Sequence, residues 1–339
     1  MEKKVLKIIE KYDLINKNDK LILGVSGGPD SICMLDILDK IKKDKILDFE
    51  IIVAHVNHLI REEAKDDENY VKEFCRKRDI KFYSKSIDIL KIGNIRKVGT
   101  EEAGRDERYK YFNQLMKETN SNKIAIAHNK NDNIETIIMH ILRGSGISGL
   151  KGIEPKNNQY IRPLIECTRE EIEKYCEINN LKPRIDKTNF ENIYTRNKIR
   201  NIVLPYIKKE FNPNIIETID RLSKLVKEED EYIKKQVEKI YTEIMVEEKI
   251  ENENLKRPKE IILDLKKFNS QEKVIKSRII LYTITRIFGN SKGIEQIHVE
   301  DIIKLCSNNI GNKYLTPNKN IKILVKSGQI HFINQQNKK

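Results

Sequence analysis

The residues with the clearest chemical meaning follow the first apolar run of the chain. Leu21–Val25 is apolar, and the string Ser26-Gly-Gly-Pro-Asp-Ser31 comes directly after it. A strand that ends in two adjacent glycines leaves backbone N–H groups free to converge on an anion, and a helix opening at Ser31 adds its positive end at the same place. The string has neither the Gly-Lys-Ser/Thr ending of a P-loop nor the G-x-G-x-x-G spacing. It therefore predicts a nucleotide phosphate site of another kind.

A second group of polar side chains follows the apolar run at 124–128. It comprises His128, Asp132 and Glu135, and the two carboxylates share one helix face if a helix begins near Asp132. Carboxylates at a helix N-terminus also satisfy its dipole and its free amides, which is the alternative interpretation of the pair. Beside a nucleotide, however, two carboxylates can hold Mg²⁺ or a cationic amine, and a histidine can serve as a base. The group therefore predicts a cation site.

Further side chains are suited to contacts with a nucleotide or RNA. His55, in His55-Val-Asn-His58, has no third ligand at a suitable spacing, which favours an adenine contact or a helix cap over a metal. Arginines bind phosphates well because the guanidinium group donates as a fork. The candidate arginines are Arg61, Arg105, Arg108, Arg143, Arg196 and Arg200. For several of them a solvated helix face is the alternative interpretation.

The elements that must position these residues follow from the hydrophobic pattern. Short apolar runs at 21–25, 51–56, 80–84 and 124–128 alternate with helical patterns at 32–41, 63–78 and 101–117. This alternation predicts an α/β fold with a doubly wound parallel sheet. The glycine turn, His55 and His128 all follow strand ends, and ligands of such sheets bind beyond the carboxyl ends of the strands. We therefore expect one site at one edge of the sheet.

The pattern changes near residue 212. Residues 215–250 form a long charged helical pattern, shorter ones follow at 271–287 and 296–306, and 313–333 predicts a β-hairpin or meander. We predict a catalytic domain over residues 1–211 and a smaller, mainly helical domain over residues 212–335 that ends in the hairpin.

Composition narrows the class of protein. The 339 residues carry 65 basic and 52 acidic side chains, a net charge of +13 that favours a polyphosphate partner such as RNA, although lysine is abundant throughout the chain. The five cysteines never form C-x-x-C, which predicts reduced thiols and neither a disulfide frame nor a zinc site. No apolar run approaches membrane-spanning length, so we expect a cytoplasmic protein with no membrane contact.

Taken in order and spacing, these segments resemble the tRNA(Ile)-lysidine synthetase family of the PP-loop ATP-pyrophosphatases. The segments that carry the resemblance are 26–31, 55–61, 102–112, 128–136, 143–150, 162–164 and 186–200. The resemblance implies that ATP adenylates O2 of the wobble cytidine in the CAU anticodon of tRNA(Ile) and releases pyrophosphate. Free L-lysine then displaces AMP from C2 and forms lysidine, which shifts codon reading from AUG to AUA.

The resemblance also implies roles for particular residues. The residues expected to bind ATP are Ser26, Gly27, Gly28, Pro29, Asp30, Ser31 and His55, with Asp30 also expected to position Mg²⁺. Asp132 and Glu135 match the lysine-binding carboxylates of the family. His128 is expected to remove a proton, and Arg108 and Arg200 are expected to stabilise charge on the adenylated base. Arg61, Arg105, Arg143 and Arg196 are weaker candidates for contacts to tRNA or adenylate.

The chain departs from the family where members often read His-His-x-Asp-Asp-Gln. Asn129 and Asn131 replace the second histidine and the first aspartate, which puts in doubt any role assigned to those two positions. The expected partners are tRNA(Ile), ATP and free lysine, and a homodimer is left open. Two alternatives are another PP-loop tRNA enzyme, such as a thiolase, and a non-catalytic RNA-binding homologue. A thiolase usually needs a C-x-x-C, and RNA binding alone would not need a phosphate loop.

Overall fold

The computed structural model describes residues 1–59, 64–184, 194–250, 257–308 and 313–335. The chain divides into two compact units, residues 1–226 and residues 227–339. This division comes later than the predicted boundary at 211/212. The reason is that Ile215, Ile216 and Ile219, at the start of a long helix, pack against the buried Ile134 cluster of the first unit.

The first unit alternates strands with helices. Its elements are α1 Glu2–Lys11, β1 Asp19–Gly24, α2 Pro29–Lys43, β2 Phe49–Asn57, α3 Ala64–Arg76, β3 Lys81–Ser86, α4 Ile89–Arg96, α5 Thr100–Glu118, β4 Lys123–Ile126, α6 Lys130–Leu142, α7 Ile147–Leu150, β5 Lys156–Asn157, β6 Tyr160–Ile161, α8 Arg169–Ile178, α9 Thr195–Lys198 and α10 Leu204–Glu210. A π-helical turn, Ile199–Val203, joins α9 to α10, and α11, Ile215–Ile244, begins in this unit.

One six-stranded sheet organises the first unit. The strand order is β3-β2-β1-β4-β6-β5, and every neighbouring pair is parallel except β5 with β6. The order reverses between β1 and β4, which creates a crevice beyond the carboxyl ends of those two strands. The predicted α/β fold with a doubly wound parallel sheet is therefore confirmed. The strands β5 and β6 have two residues each, too few to give a periodic pattern.

Strand β1 is buried on both of its faces. Leu21 and Leu23 belong to the main core cluster, whereas Ile22 packs on the other face with Phe112 and Leu115 of α5. Burial of both faces explains why the strand is a continuous apolar run instead of an alternating one. At the end of β1, a Cβ on Gly24 would lie 2.7 Å from Cε2 of Phe112, so glycine lets the helix approach the strand.

The second unit contains more β structure than the sequence predicted. Besides the end of α11, its elements are β7 Met245–Lys249, β8 Glu260–Asp264, α12 Leu265–Asn269, α13 Lys273–Phe288, α14 Gln296–Ser307, β9 Lys313–Asn318, β10 Ile321–Lys326 and β11 Gln329–Asn334. The five strands form an antiparallel sheet in the order β7-β8-β11-β10-β9. The predicted terminal strands therefore share one sheet with two further strands, β7 and β8. The helical pattern at 215–250 had concealed β7.

Within the described residues, no helix is both long enough and apolar enough to span a membrane.

We predict that Gly24→Ala lowers the free energy of unfolding by about 1 to 3 kcal/mol, because the methyl group must displace the packed Phe112 ring. Urea unfolding measures this change. In a Phe112→Leu background, where the ring atoms are absent, the same substitution should cost about 1 kcal/mol less. An equal cost in both backgrounds would contradict the proposed close approach.

Candidate functional site

The phosphate loop, residues 26–31, connects β1 to α2. The Ser31 hydroxyl accepts hydrogen bonds from the backbone N–H groups of Ser26 and Gly27, both at 3.2 Å, and donates one to the Gly28 carbonyl at 3.0 Å. Gly27 has a φ of 96°, a conformation that favours glycine. Gly28 is the N-cap of α2, and Pro29 occupies the first turn, where its missing N–H costs nothing. The loop is thereby folded over the positive end of α2.

His55, at the end of β2, stabilises the start of this loop. Its ring is almost fully buried, and Nδ1 lies 2.8 Å from the Val25 carbonyl oxygen. Because a carbonyl only accepts, Nδ1 carries the proton. Burial lowers the pKa of His55, which keeps the ring neutral. The described contact of His55 is thus structural, and its expected contact to adenine stays a prediction.

The carboxylate pair, Asp132 and Glu135, lies in the first turns of α6. Asp132 forms a capping box with Asn129: its Oδ2 accepts from the Asn129 N–H at 3.1 Å, and its own N–H donates to Asn129 Oδ1 at 2.9 Å. Asp132 therefore caps the helix, as the alternative interpretation held. The cap uses only one of its two carboxylate oxygens, Oδ2. Asp132 Oδ1 accepts from Arg200 Nη2 at 3.0 Å.

Arg200 holds the pair together. Its Nε donates to Glu135 Oε1 at 2.6 Å and its Nη2 donates to Oε2 at 2.8 Å, while Glu135 is only 1% exposed. Arg196 donates to Thr136 Oγ1 at 2.7 Å and lies 3.6 Å from Glu135 Oε2. Both arginines, expected near adenylate or tRNA, therefore contact α6 at Glu135 and Thr136. The pair is a place where a cation is already bound.

Asn129 links the carboxylate pair to the phosphate loop. Its Nδ2 donates to Asp30 Oδ1 at 2.8 Å, while its Oδ1 caps α6. The other departure from the family pattern, Asn131, accepts from the N–H of Arg169 at 3.0 Å and thus anchors the start of α8. Two side chains whose roles the sequence left in doubt have positioning roles. The loop and the pair meet at the crevice between β1 and β4.

Comparison with known proteins agrees with this geometry. Residues 1–207 match the PP-loop domain family. The tRNA(Ile)-lysidine synthase of Clostridium tetani is 44% identical over 330 residues, which are 97% of this chain and 68% of that protein. The enzyme of the same name from Clostridioides difficile is 43% identical, over 98% of this chain and 70% of its own length. The chain belongs to the tRNA(Ile)-lysidine synthase family.

A solved structure supports the fold of this family member. A U34-tRNA thiolase from Methanococcus maripaludis has a TM-score of 0.53 with this chain, at 22% identity, covering 66% of this chain and 78% of the thiolase. At that identity the likeness concerns the fold alone.

His128 has a partner that sequence reasoning missed. Arg162 follows β6, is 7% exposed, and donates from Nε to His128 Nδ1 at 3.1 Å. Its Nη1 donates to the Glu154 carbonyl oxygen at 2.7 Å. The sequence signal for this pair was an arginine directly after an apolar strand, because a buried guanidinium group requires hydrogen-bond partners. Burial lowers the pKa of His128 to about 4, so the ring is neutral near pH 7.

The structure describes three further arginine candidates, of which Arg105 is near enough to His128 to lower its pKa. Arg105 and Arg108 on α5, and Arg143 after α6, are exposed, and the guanidinium carbon of Arg105 lies 5.6 Å from the centre of the Tyr109 ring. Exposed guanidinium groups remain available to phosphates, so their expected contacts stay predictions. Arg61 and residues 186–193 lie outside the described residues.

Burial raises the pKa values of two carboxyl groups in the site. Burial, with the nearby charge of Asp132, raises the pKa of Asp30 to about 6 from 3.8. Burial also raises the pKa of Glu135, and the hydrogen bond from Arg200 opposes that shift. Two buried carboxyl groups with raised pKa values, Asp30 and Glu135, thus lie in the same site as the phosphate loop. Such perturbed groups are typical of functional sites.

We predict that Asp30→Asn stabilises the fold at neutral pH. The pKa of Asp30 is higher in the folded state than in the unfolded chain, so protonation of Asp30 stabilises the fold at low pH. This stabilisation is lost as the pH rises through about 6. With EDTA present, the variant should exceed the wild type by about 1 to 2 kcal/mol in free energy of unfolding at pH 7.5 and match it near pH 4.

Urea titrations at the two pH values measure the difference. Asp44→Asn, which changes an exposed carboxylate just after α2, is the matched control and should leave the pH dependence unchanged. A variant less stable than the wild type at pH 7.5 would contradict the conclusion that burial raises the pKa of Asp30.

Proposed function

We propose that this chain is an ATP-dependent ligase that joins free L-lysine to C2 of the wobble cytidine in the CAU anticodon of tRNA(Ile). The observation that carries the proposal is the bridge of Asn129, which joins Asp30 of the phosphate loop to Asp132 of the carboxylate pair. A reaction that activates one substrate with ATP and then admits an amine needs an anion site and a cation site side by side. The product, lysidine, changes codon reading from AUG to AUA.

In the first step, O2 of cytosine attacks the α-phosphorus of ATP and pyrophosphate leaves. The N-terminus of α2 favours negative charge there, so it stabilises the leaving pyrophosphate. The loop is backed by Ser31, whose hydroxyl orders it through three bonds to residues 26–28.

Asp30 fits a role in holding Mg²⁺. It is a carboxylate beside the loop whose pKa burial raises, while the more distant Arg169 and Arg200 oppose that shift, and a divalent cation would favour its charged form. Among the described residues there is no group of three His, Cys, Asp or Glu side chains able to hold a metal. Mg²⁺ is commonly held by one or two carboxylates together with substrate phosphates and water, and it neutralises charge on the phosphates when bound.

In the second step, the ε-amine of lysine attacks C2, and the bond from C2 to the adenylate oxygen breaks to release AMP. Asp132 and Glu135 are proposed to bind the side-chain ammonium. Their contacts with Arg200 support this assignment, because they already bind a cation with short hydrogen bonds. An amine bound by these carboxylates would have a proton acceptor beside it.

The tRNA partner is supported by the family and by the net charge of +13. The thiolase alternative has less support, since the sequence has no C-x-x-C and all five cysteines are buried. A homodimer stays a prediction.

The decisive experiment is nucleoside mass spectrometry of tRNA(Ile) with a CAU anticodon after incubation with the protein, ATP, Mg²⁺ and lysine. We expect lysidine and lysine-dependent release of AMP. A tRNA with uridine at the wobble position is the control and should remain unmodified. ATP turnover that is indifferent to lysine would favour another adenylating enzyme, and absence of turnover would favour an RNA-binding homologue.

We predict that Asp132→Asn raises the KM for lysine about 10-fold or more, because a hydrogen bond to a charged group is lost from the ammonium site. The KM for ATP should change by less than about 3-fold, since the amide can still cap α6. Steady-state assays with each substrate varied separately measure the split.

The matched control is Glu170→Gln, an exposed carboxylate of α8 that lies 3.9 Å from Lys208 Nζ. It should leave both KM values unchanged. Equal loss of lysine and ATP use in Asp132→Asn would refute the assignment of separate roles.

A further inference from the structure

The bond between Arg162 and His128 determines where the histidine carries its proton. A guanidinium group has donors and no acceptor, so the 3.1 Å contact requires an unprotonated Nδ1. A neutral ring then has its proton on Nε2. We propose that Arg162 is a positioning residue that fixes His128 as a neutral Nε2–H hydrogen-bond donor, directed at an oxygen of the bound nucleotide or of the cytosine it activates.

Arg162 is itself fixed on two sides. Its Nη1 donates to the Glu154 carbonyl at 2.7 Å, and its own backbone N–H donates to the Pro155 carbonyl at 2.9 Å. The residue is 7% exposed and follows the short strand β6, which pairs with β4, the strand that precedes His128. These hydrogen bonds and the pairing of β6 with β4 hold the guanidinium beside the ring.

The charges around the ring favour its neutral form. Among the described residues, the charges that act most strongly on His128 are the carboxylate of Asp132 on α6 and the guanidinium groups of Arg162, Arg196 on α9 and Arg105 on α5. Burial is the largest cause that opposes a positive imidazolium; the Asp132 carboxylate favours it, and the three guanidinium groups oppose it. Accordingly the pKa of His128 falls to about 4.

This arrangement replaces the expected role of His128 as a base. A ring with Nδ1 engaged by Arg162 and a proton already on Nε2 has no free lone pair with which to accept a proton. It can donate, and a neutral imidazole donor stabilises oxygen atoms that gain negative charge. This part rests on the proposed function, in which such charge develops on the α-phosphate. The proton lost by the lysine amine then goes to the carboxylate pair, Asp132 and Glu135.

The first experiment tests the tautomer without substrates, so its result does not depend on the proposed function. Nitrogen-15 NMR of protein labelled at histidine, assigned with His128→Gln, should show an unprotonated Nδ1 and a protonated Nε2 at position 128, unchanged between about pH 5.5 and 8. Arg162→Lys, which retains a cationic donor, should preserve this state. Arg162→Gln should raise the titration midpoint by about one pH unit or more.

A protonated Nδ1 in the wild type, or titration of His128 near its ordinary pKa, would overturn the proposal. The wild-type spectrum alone is sufficient for that outcome, even if a variant fails to fold.

The second experiment tests the donor role. In His128→Gln the side-chain amide nitrogen reaches the region of Nε2 and can donate, but it cannot take up a proton. We expect kcat for lysidine formation to remain within about 10-fold of the wild type in His128→Gln, and to fall about 100-fold or more in His128→Ala. Equal losses in the two variants would overturn the donor role. Failure of the wild type to form lysidine would instead refute the proposed function, and the NMR result would still decide the tautomer.

Discussion

The arrangement of the site depends on the side chain of one residue, Asn129. Its amide oxygen caps α6 through the Asp132 N–H, and its amide nitrogen donates to Asp30 in the first turn of α2. These two helices follow β4 and β1, the strands between which the order of the sheet reverses. A carboxylate at this position would oppose Asp30, and an aliphatic side chain would leave α6 uncapped. An amide, which donates and accepts at once, joins the positive ends of both helices at one crevice.

The residues around the site compensate for the cost of burying charged groups. Ionised groups are stable in a buried site only when they are paired and hydrogen-bonded. Glu135, at 1% exposure, is paired with Arg200 and lies near Arg196; Arg196 lies on α9, and Arg200 lies on the π-helical turn that follows it. The π-helical turn that carries Arg200 is packed through Ile199 against α6. The chain therefore supplies its own cations to a site that, in the proposed reaction, must hold a substrate cation.

Much of this fold follows from local patterns in the sequence, and most of the site contacts do not. The strands β1 to β4 and the loop 26–31 follow from apolar runs and from glycine, because hydrophobic burial and backbone conformation act over short distances along the chain. The bond of Arg200 to Glu135 joins residues 65 positions apart, and that of Arg162 to His128 joins residues 34 apart. No periodicity encodes such pairs. The sequence of β7 likewise continues the helical pattern that begins at residue 215. Its pairing with β8, which is not visible in that pattern, makes it a strand.

The two sides of the crevice differ in chemistry. On the side of β1, the N-terminus of α2 presents a positive end together with the Asp30 carboxylate, a candidate to hold Mg²⁺. On the side of β4, Asp132 and Glu135 present acceptors that already bind a guanidinium. His128 stands at the end of β4, and the bond from Arg162 makes it a donor despite its place near the acceptors. In the proposed reaction, a polyanion on one side and an amine on the other are thus recognised separately, and the proposed neutral donor stabilises charge between them without repelling the incoming ammonium.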